Sequence, residues 1–97
     1  MSGALNGRVT IVTGAGQGVG EGIARRLAQE GAHVVVAARR AETGEPVAAS
    51  IRDRGGDAVC TETDVADGDS VRRCVNDTVK RFGRLDIVVH NAFTGGI

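Results

Sequence analysis

The sequence predicts an α/β fold: a doubly wound parallel sheet of four strands, order 3-2-1-4, with three helices. Three observations predict it. Short apolar, β-branched runs alternate with stretches of helical periodicity along all 97 residues, the pattern of βαβ units with helices on both faces of a parallel sheet. The first two strand-like runs are apolar on both faces, as central strands must be. The third mixes Ala58 and Cys60 with Thr61, Glu62 and Thr63, which suits an exposed edge. A chain of this length forms one domain, and each crossover is expected to be right-handed.

Each element has its own local reason. Residues 8–13, RVTIVT, read as the first strand. From 19 to 30, Val19, Ile23, Ala24, Leu27 and Ala28 recur at helical spacing, and Gly31 stands where a helix end favours positive φ. HVVVAA, 33–38, is a nearly continuous apolar strand. Residues 43–54 predict a weaker helix with Thr43 as N-cap and Pro46 in its first turn, where a missing N–H matters little. DAVCTET, 57–63, is the third strand. The clearest helix runs over 68–82, with apolar positions Val71, Cys74, Val75, Thr78 (through its methyl), Val79 and Phe82, Asp67 as N-cap and Gly83 as its stop. LDIVVH, 85–90, is the fourth strand.

Composition narrows the function. Twelve basic and twelve acidic residues cancel to a net charge of zero, which gives no attraction for nucleic acid or an anionic membrane. MSGALNGRV has no basic start followed by an apolar core, so no signal peptide is expected. The apolar runs are too short to span a bilayer. Cys60 and Cys74 lack metal-site spacing and are expected as reduced, buried thiols. The expectation is a soluble, cytoplasmic domain with neither a nucleic-acid nor a membrane partner.

The fourth strand adds a constraint. Ile87, Val88 and Val89 are apolar on both faces, shortly before the sequence ends at Ile97. Each large apolar side chain left uncovered forfeits roughly 1.5–3 kcal/mol. Residues 1–97 are therefore expected to be the first part of a larger domain, or to be covered there by something else.

Gly14, Gly16, Gly18, Gly20 and Gly22 crowd the turn from first strand to first helix. A chain that reverses sharply there needs positive φ, and a backbone that approaches a diphosphate needs no Cβ in the way. The first-turn amides of the helix and its dipole then hold negative charge. The strict G-x-G-x-x-G spacing fails, because Val19 stands where the third glycine belongs. What does fit is Thr13-Gly14-x-x-x-Gly18-x-Gly20. S-adenosylmethionine enzymes also use glycine-rich loops after a first strand, but they place an acid at the end of strand two. Here those positions are Ala38 and Arg39.

With TGAGQGVG at 13–20, the chain resembles the short-chain dehydrogenase/reductase family, whose cofactor motif is T-G-x-x-x-G-x-G. Arg39-Arg40 after strand two, Asp64-Val65 after strand three and Asn91-Ala92 after strand four match it in register. The resemblance implies a partial Rossmann-type sheet and an NAD(P)-dependent oxidoreductase acting on CH–OH groups. It places Gly14, Gly16, Gln17, Gly18, Val19 and Gly20 around the cofactor diphosphate. Asp64 would receive the adenine amino group beside the backbone of Val65, and Asn91 and Ala92 would lie near the ribose. An acid after strand two would grip a ribose 2′-OH, whereas Arg39, helped by Arg40, can pair with a 2′-phosphate. NADP(H) is therefore favoured over NAD(H).

Two departures stand out. The family's N-N-A-G turn reads His90-Asn91-Ala92-Phe93, and His90 has no visible partner in sequence. The family's catalytic Asn, Ser and Tyr-x-x-x-Lys fall beyond Ile97, and these residues include no tyrosine. No catalytic residue is assigned, no metal site is expected, and residues 1–97 alone are expected not to turn over. A small-molecule substrate and any homo-oligomer would belong to a longer form. The alternative is a non-catalytic nucleotide-binding module or truncated paralogue acting through a partner. His33, after the Glu30-Gly31 turn, is expected at the surface.

Overall fold

The computed structural model describes residues 3–14 and 18–90. Four strands, β1 (Val9–Thr13), β2 (His33–Ala38), β3 (Asp57–Glu62) and β4 (Ile87–Val89), alternate with α1 (Gly18–Gln29), α2 (Ala41–Asp53) and α3 (Gly68–Phe82). The sheet order is β3-β2-β1-β4, and every pairing is parallel. Both the predicted fold class and the strand order are found. The register aligns Val12 with Val36 and with Val89, and Val36 with Cys60. All four strands therefore end along one edge.

The two faces have different covers. Val12, Val34, Val36 and Ala58 pack with Ala24 of α1 and Val47, Ala48 and Ile51 of α2. On the other face Ile11, Val35 and Ala37 pack with Cys74 of α3, and Val59, Val75 and Phe82 join them. Alternation along each strand sends successive side chains to opposite layers, which is why β1 and β2 had to be apolar throughout. β3 is an edge, as expected. At the opposite edge Val88 is 55% exposed. Cys74 is buried and Cys60 half-buried, both as free thiols.

α3 keeps its predicted bounds and caps, but of its predicted apolar positions Val71 and Val79 are exposed, and the buried ones are Cys74 and Thr78. Asp67 accepts from the Asp69 amide at 3.0 Å, and Gly83 takes φ 82° as the C-cap. α2 departs from its predicted bounds. It starts at Ala41 rather than residue 43, and Arg40 is its N-cap with no side-chain cap bond. The cap arrives from another strand: Glu62 Oε2 accepts from the Ala41 amide at 2.9 Å. Thr43 is not the N-cap; its hydroxyl instead donates backward to the Arg40 carbonyl. Pro46 consequently lies inside the helix, where it removes the bond that the Glu42 carbonyl would accept.

β4 is shorter than the predicted 85–90, and at the sheet's entrance Asp86 uses its side chain as well as its backbone. Its carboxylate accepts from the Val9 amide at 2.8 Å, while its own amide donates to the Val9 carbonyl. His33 is half-buried rather than simply at the surface: it pairs with Asp57 and stacks on Phe82, with ring centroids 5.4 Å apart.

Gly44 carries a packing requirement. A Cβ there would lie 2.7 Å from both Ala38 Cβ and Cys60 Sγ. Overpacking of this kind costs about 1–3 kcal/mol, so Gly44→Val is expected to lower thermal stability by that much in a melting experiment. Asp86 supplies a pH dependence. Hydrogen bonding from Arg84, then from the Val9 amide, holds its carboxyl below the ordinary range. That contribution is complete above the unfolded-state value and is lost as pH falls through the lower folded value. Urea denaturation at stepped pH should show an acid loss of stability that is flatter in Asp86→Asn.

Candidate functional site

The carboxyl edge of the sheet gathers most of the predicted positions. Gly14 leaves β1 with φ 64°, its amide still bonded to the Ala37 carbonyl at 3.1 Å. Gly18 opens α1 with φ 61°. Side chains rarely adopt that backbone, which costs an L-residue roughly 1–2 kcal/mol. A Cβ at Gly18 would meet nothing within 4 Å. The backbone conformation therefore demands glycine, and the space beside it is open. Gly20 is buried two residues on, while Val19 is 72% exposed. The first amides of any α-helix lack intrahelical partners, and those of α1 stand at this edge. Gly16 and Gln17 lie outside the described residues, as do Asn91, Ala92 and Phe93.

Arg39 and Arg40 follow β2 directly and are exposed. Among the described residues neither guanidinium has a carboxylate within ion-pairing distance. Beside them β3 extends its pairing by one residue, the Thr63 amide donating to the Ala38 carbonyl at 2.8 Å. Asp64 comes next, half-buried. Its Oδ1 accepts from the Ala66 amide at 3.0 Å and its amide donates to Ser70 Oγ at 2.8 Å. It thus organises a local turn through one oxygen, and its other carboxylate oxygen has no hydrogen-bond partner among the described residues. Val65 is half-buried beside it.

β4 delivers His90 to the same edge. Its Nδ1 stands 3.5 Å from Thr13 Oγ1, and that hydroxyl donates to the Val89 carbonyl at 3.4 Å. His90 therefore has a partner, which sequence reading did not supply because the contact joins two strands. Order β3-β2-β1-β4 means the chain steps to the other side of β1 after β3. A crevice opens outside the strand ends at such a switch point, where open α/β sheets bind ligands. A groove of about 370 Å³ between β3 and α3, lined by Val59, Asp77 and Phe82 among others, contains none of these positions.

Two contributors escaped the sequence reading. Ser70, buried in the first turn of α3, anchors Asp64. Glu62 caps α2 across the sheet. The signal for Glu62 was its parity with Ala58 and Cys60, which places all three over the α2 layer. No group of three or more potential metal-binding side chains occurs among the described residues. No helix among them is long and apolar enough to cross a membrane.

The family profile described as short chain dehydrogenase matches residues 8–96. A versicolorin reductase from Emericella nidulans is 46% identical over 89 residues, covering 91% of this chain and 34% of that protein. A hydroxysteroid dehydrogenase from Escherichia coli superposes with a TM-score of 0.91 at 35% identity, over 95% of this chain and 39% of its own. A 7α-hydroxysteroid dehydrogenase solved with NADH and 7-oxo glycochenodeoxycholic acid also gives 0.91 at 35% identity, over 95% and 36%. The chain thus spans about a third of the length of these relatives.

Two glycines of α1, Gly18 at its first position and Gly22 one turn on, should respond oppositely to alanine. Gly18→Ala is expected to lose about 1–2 kcal/mol through its positive φ. Gly22→Ala, exposed and with open space around its Cβ position, should gain about 0.5–1 kcal/mol of helix propensity. Chemical denaturation of the two variants measures both signs.

Proposed function

The chain belongs to the short chain dehydrogenase family, and on that premise we propose that it forms the N-terminal, NADP(H)-binding part of an oxidoreductase. That enzyme moves hydride between a nicotinamide cofactor and a carbonyl or alcohol substrate. The turn after β1 carries the reading: positive φ at Gly14 and Gly18 opens directly onto the start of α1 at the carboxyl edge. Amides there receive the diphosphate, in contact with Gly16, Gln17, Val19 and Gly20. Asp64 offers its second oxygen to the adenine amino group beside Val65, and Asn91 and Ala92 stand by the ribose.

Arg39, with Arg40, pairs with the 2′-phosphate of NADP(H). One structural neighbour carries NADH, so the scaffold alone does not choose between the cofactors. The choice rests on two arginines that meet no carboxylate among the described residues. The bound cofactor supplies the hydride, and this chain holds its adenosine–diphosphate half. Proton transfer to or from substrate is assigned to residues outside 1–97, since none of these is a tyrosine. The apolar β4 edge, with Val88 half-exposed, suits a sheet that continues with further strands. A cytoplasmic location accords with the reading.

Fluorescence titration of the protein with NADPH and NADH tests the assignment. NADPH should bind more tightly. Arg39→Asp should weaken NADPH by about tenfold to a hundredfold, the worth of a charge-assisted pair, and leave NADH preferred. An unchanged preference would remove Arg39 from the site.

A further inference from the structure

We propose that Glu62 is a specificity-determining residue whose carboxylate occupies, in the free protein, the position that the 2′-phosphate of NADP(H) takes on binding. The proposal rests on the dinucleotide reading above and deepens it. Side chains alternate along β3. Ala58 and Cys60 pack into the layer beneath α2, and Gly44 lets the helix settle against Cys60 and Ala38. Glu62, two residues beyond Cys60 and in register with Ala38, continues that row to the sheet's carboxyl edge. There its Oε2 accepts from the amide of Ala41, the first residue of α2.

The preceding residue makes this contact informative. Arg40 is the N-cap and supplies no side-chain cap bond. The helix start is therefore served by an anion from another strand, directly beside two arginines that have no carboxylate partner among the described residues. Glu62 accepts the Ala41 N–H and offsets the positive end of the α2 dipole without ion-pairing to Arg39 or Arg40. An incoming phosphate on those arginines meets a like charge already seated at the adjacent amide. Glu62 is exposed, and rotation about its side-chain bonds carries the carboxylate into water and frees the Ala41 amide for the phosphate. A ribose hydroxyl, uncharged, leaves the carboxylate where it is. Glu62 thus weakens NADP(H) selectively and narrows the preference that Arg39 sets.

The test titrates NADPH and NADH into the intact protein and its Glu62→Gln variant. Gln keeps an acceptor for the Ala41 amide and removes the charge. NADPH should tighten by about threefold to tenfold, the weight of a nearby like charge at a protein surface, with NADH unchanged. A wild type that binds NADPH as tightly as Glu62→Gln overturns the role of Glu62 alone. A wild type that binds neither cofactor overturns the dinucleotide reading and this proposal with it. An NMR measurement on the wild type needs no variant. Adenosine 2′,5′-bisphosphate should displace the Ala41 amide resonance and adenosine 5′-monophosphate should not; an unmoved resonance with both overturns the proposal.

Discussion

Parallel pairing of β1 on both of its sides is the constraint on which the rest depends. β2 and β4 flank it, and all three run in one direction. Parallel strands need long crossovers, so each strand must leave the sheet at the same edge and return through a helix. Gly14, Arg39, Asp64 and His90 are scattered through the sequence. They converge because each is the residue, or nearly the residue, at which a strand ends. The step from β3 back across β1 then sends the crossovers on either side of β1 in opposite directions, the switch point at which open α/β sheets bind ligands.

Burial follows from the same constraint. A strand paired on both sides and covered on both faces has no room for a solvated side chain, and β1 is buried along its whole length. The chain leaves that base at once: Gly14 turns with a positive φ, which glycine adopts without strain. Here the Gly14 amide is still tied to β2 while the chain is already turning away.

Charge is arranged in opposite ways at the two ends of the sheet. At the amino edge Asp86 gathers Arg84 and the Val9 amide, a closed arrangement that fastens β4 to β1. At the carboxyl edge Arg39 and Arg40 lie beside a helix start capped by Glu62. A net charge of zero thus conceals an end closed on its own ion pairs and an end whose two arginines meet no carboxylate among the described residues.

The sequence by itself determined the order of elements, the parallel sheet and the glycine turn. Those properties are local: β-branched runs, helical periodicity, Asp67 and Gly83 at the ends of α3, and glycine where φ is positive each act within a few residues. The extent of α2 was not legible, because its cap comes from Glu62, whose carboxylate reaches Ala41 only after β2 and β3 have paired. The contact of His90 with Thr13, the tie of Ser70 to Asp64 and the tight seat of Gly44 were hidden for the same reason. Tertiary structure decided these points, since hydrogen bonds and steric limits between distant residues have no signature until the sheet brings their strands together.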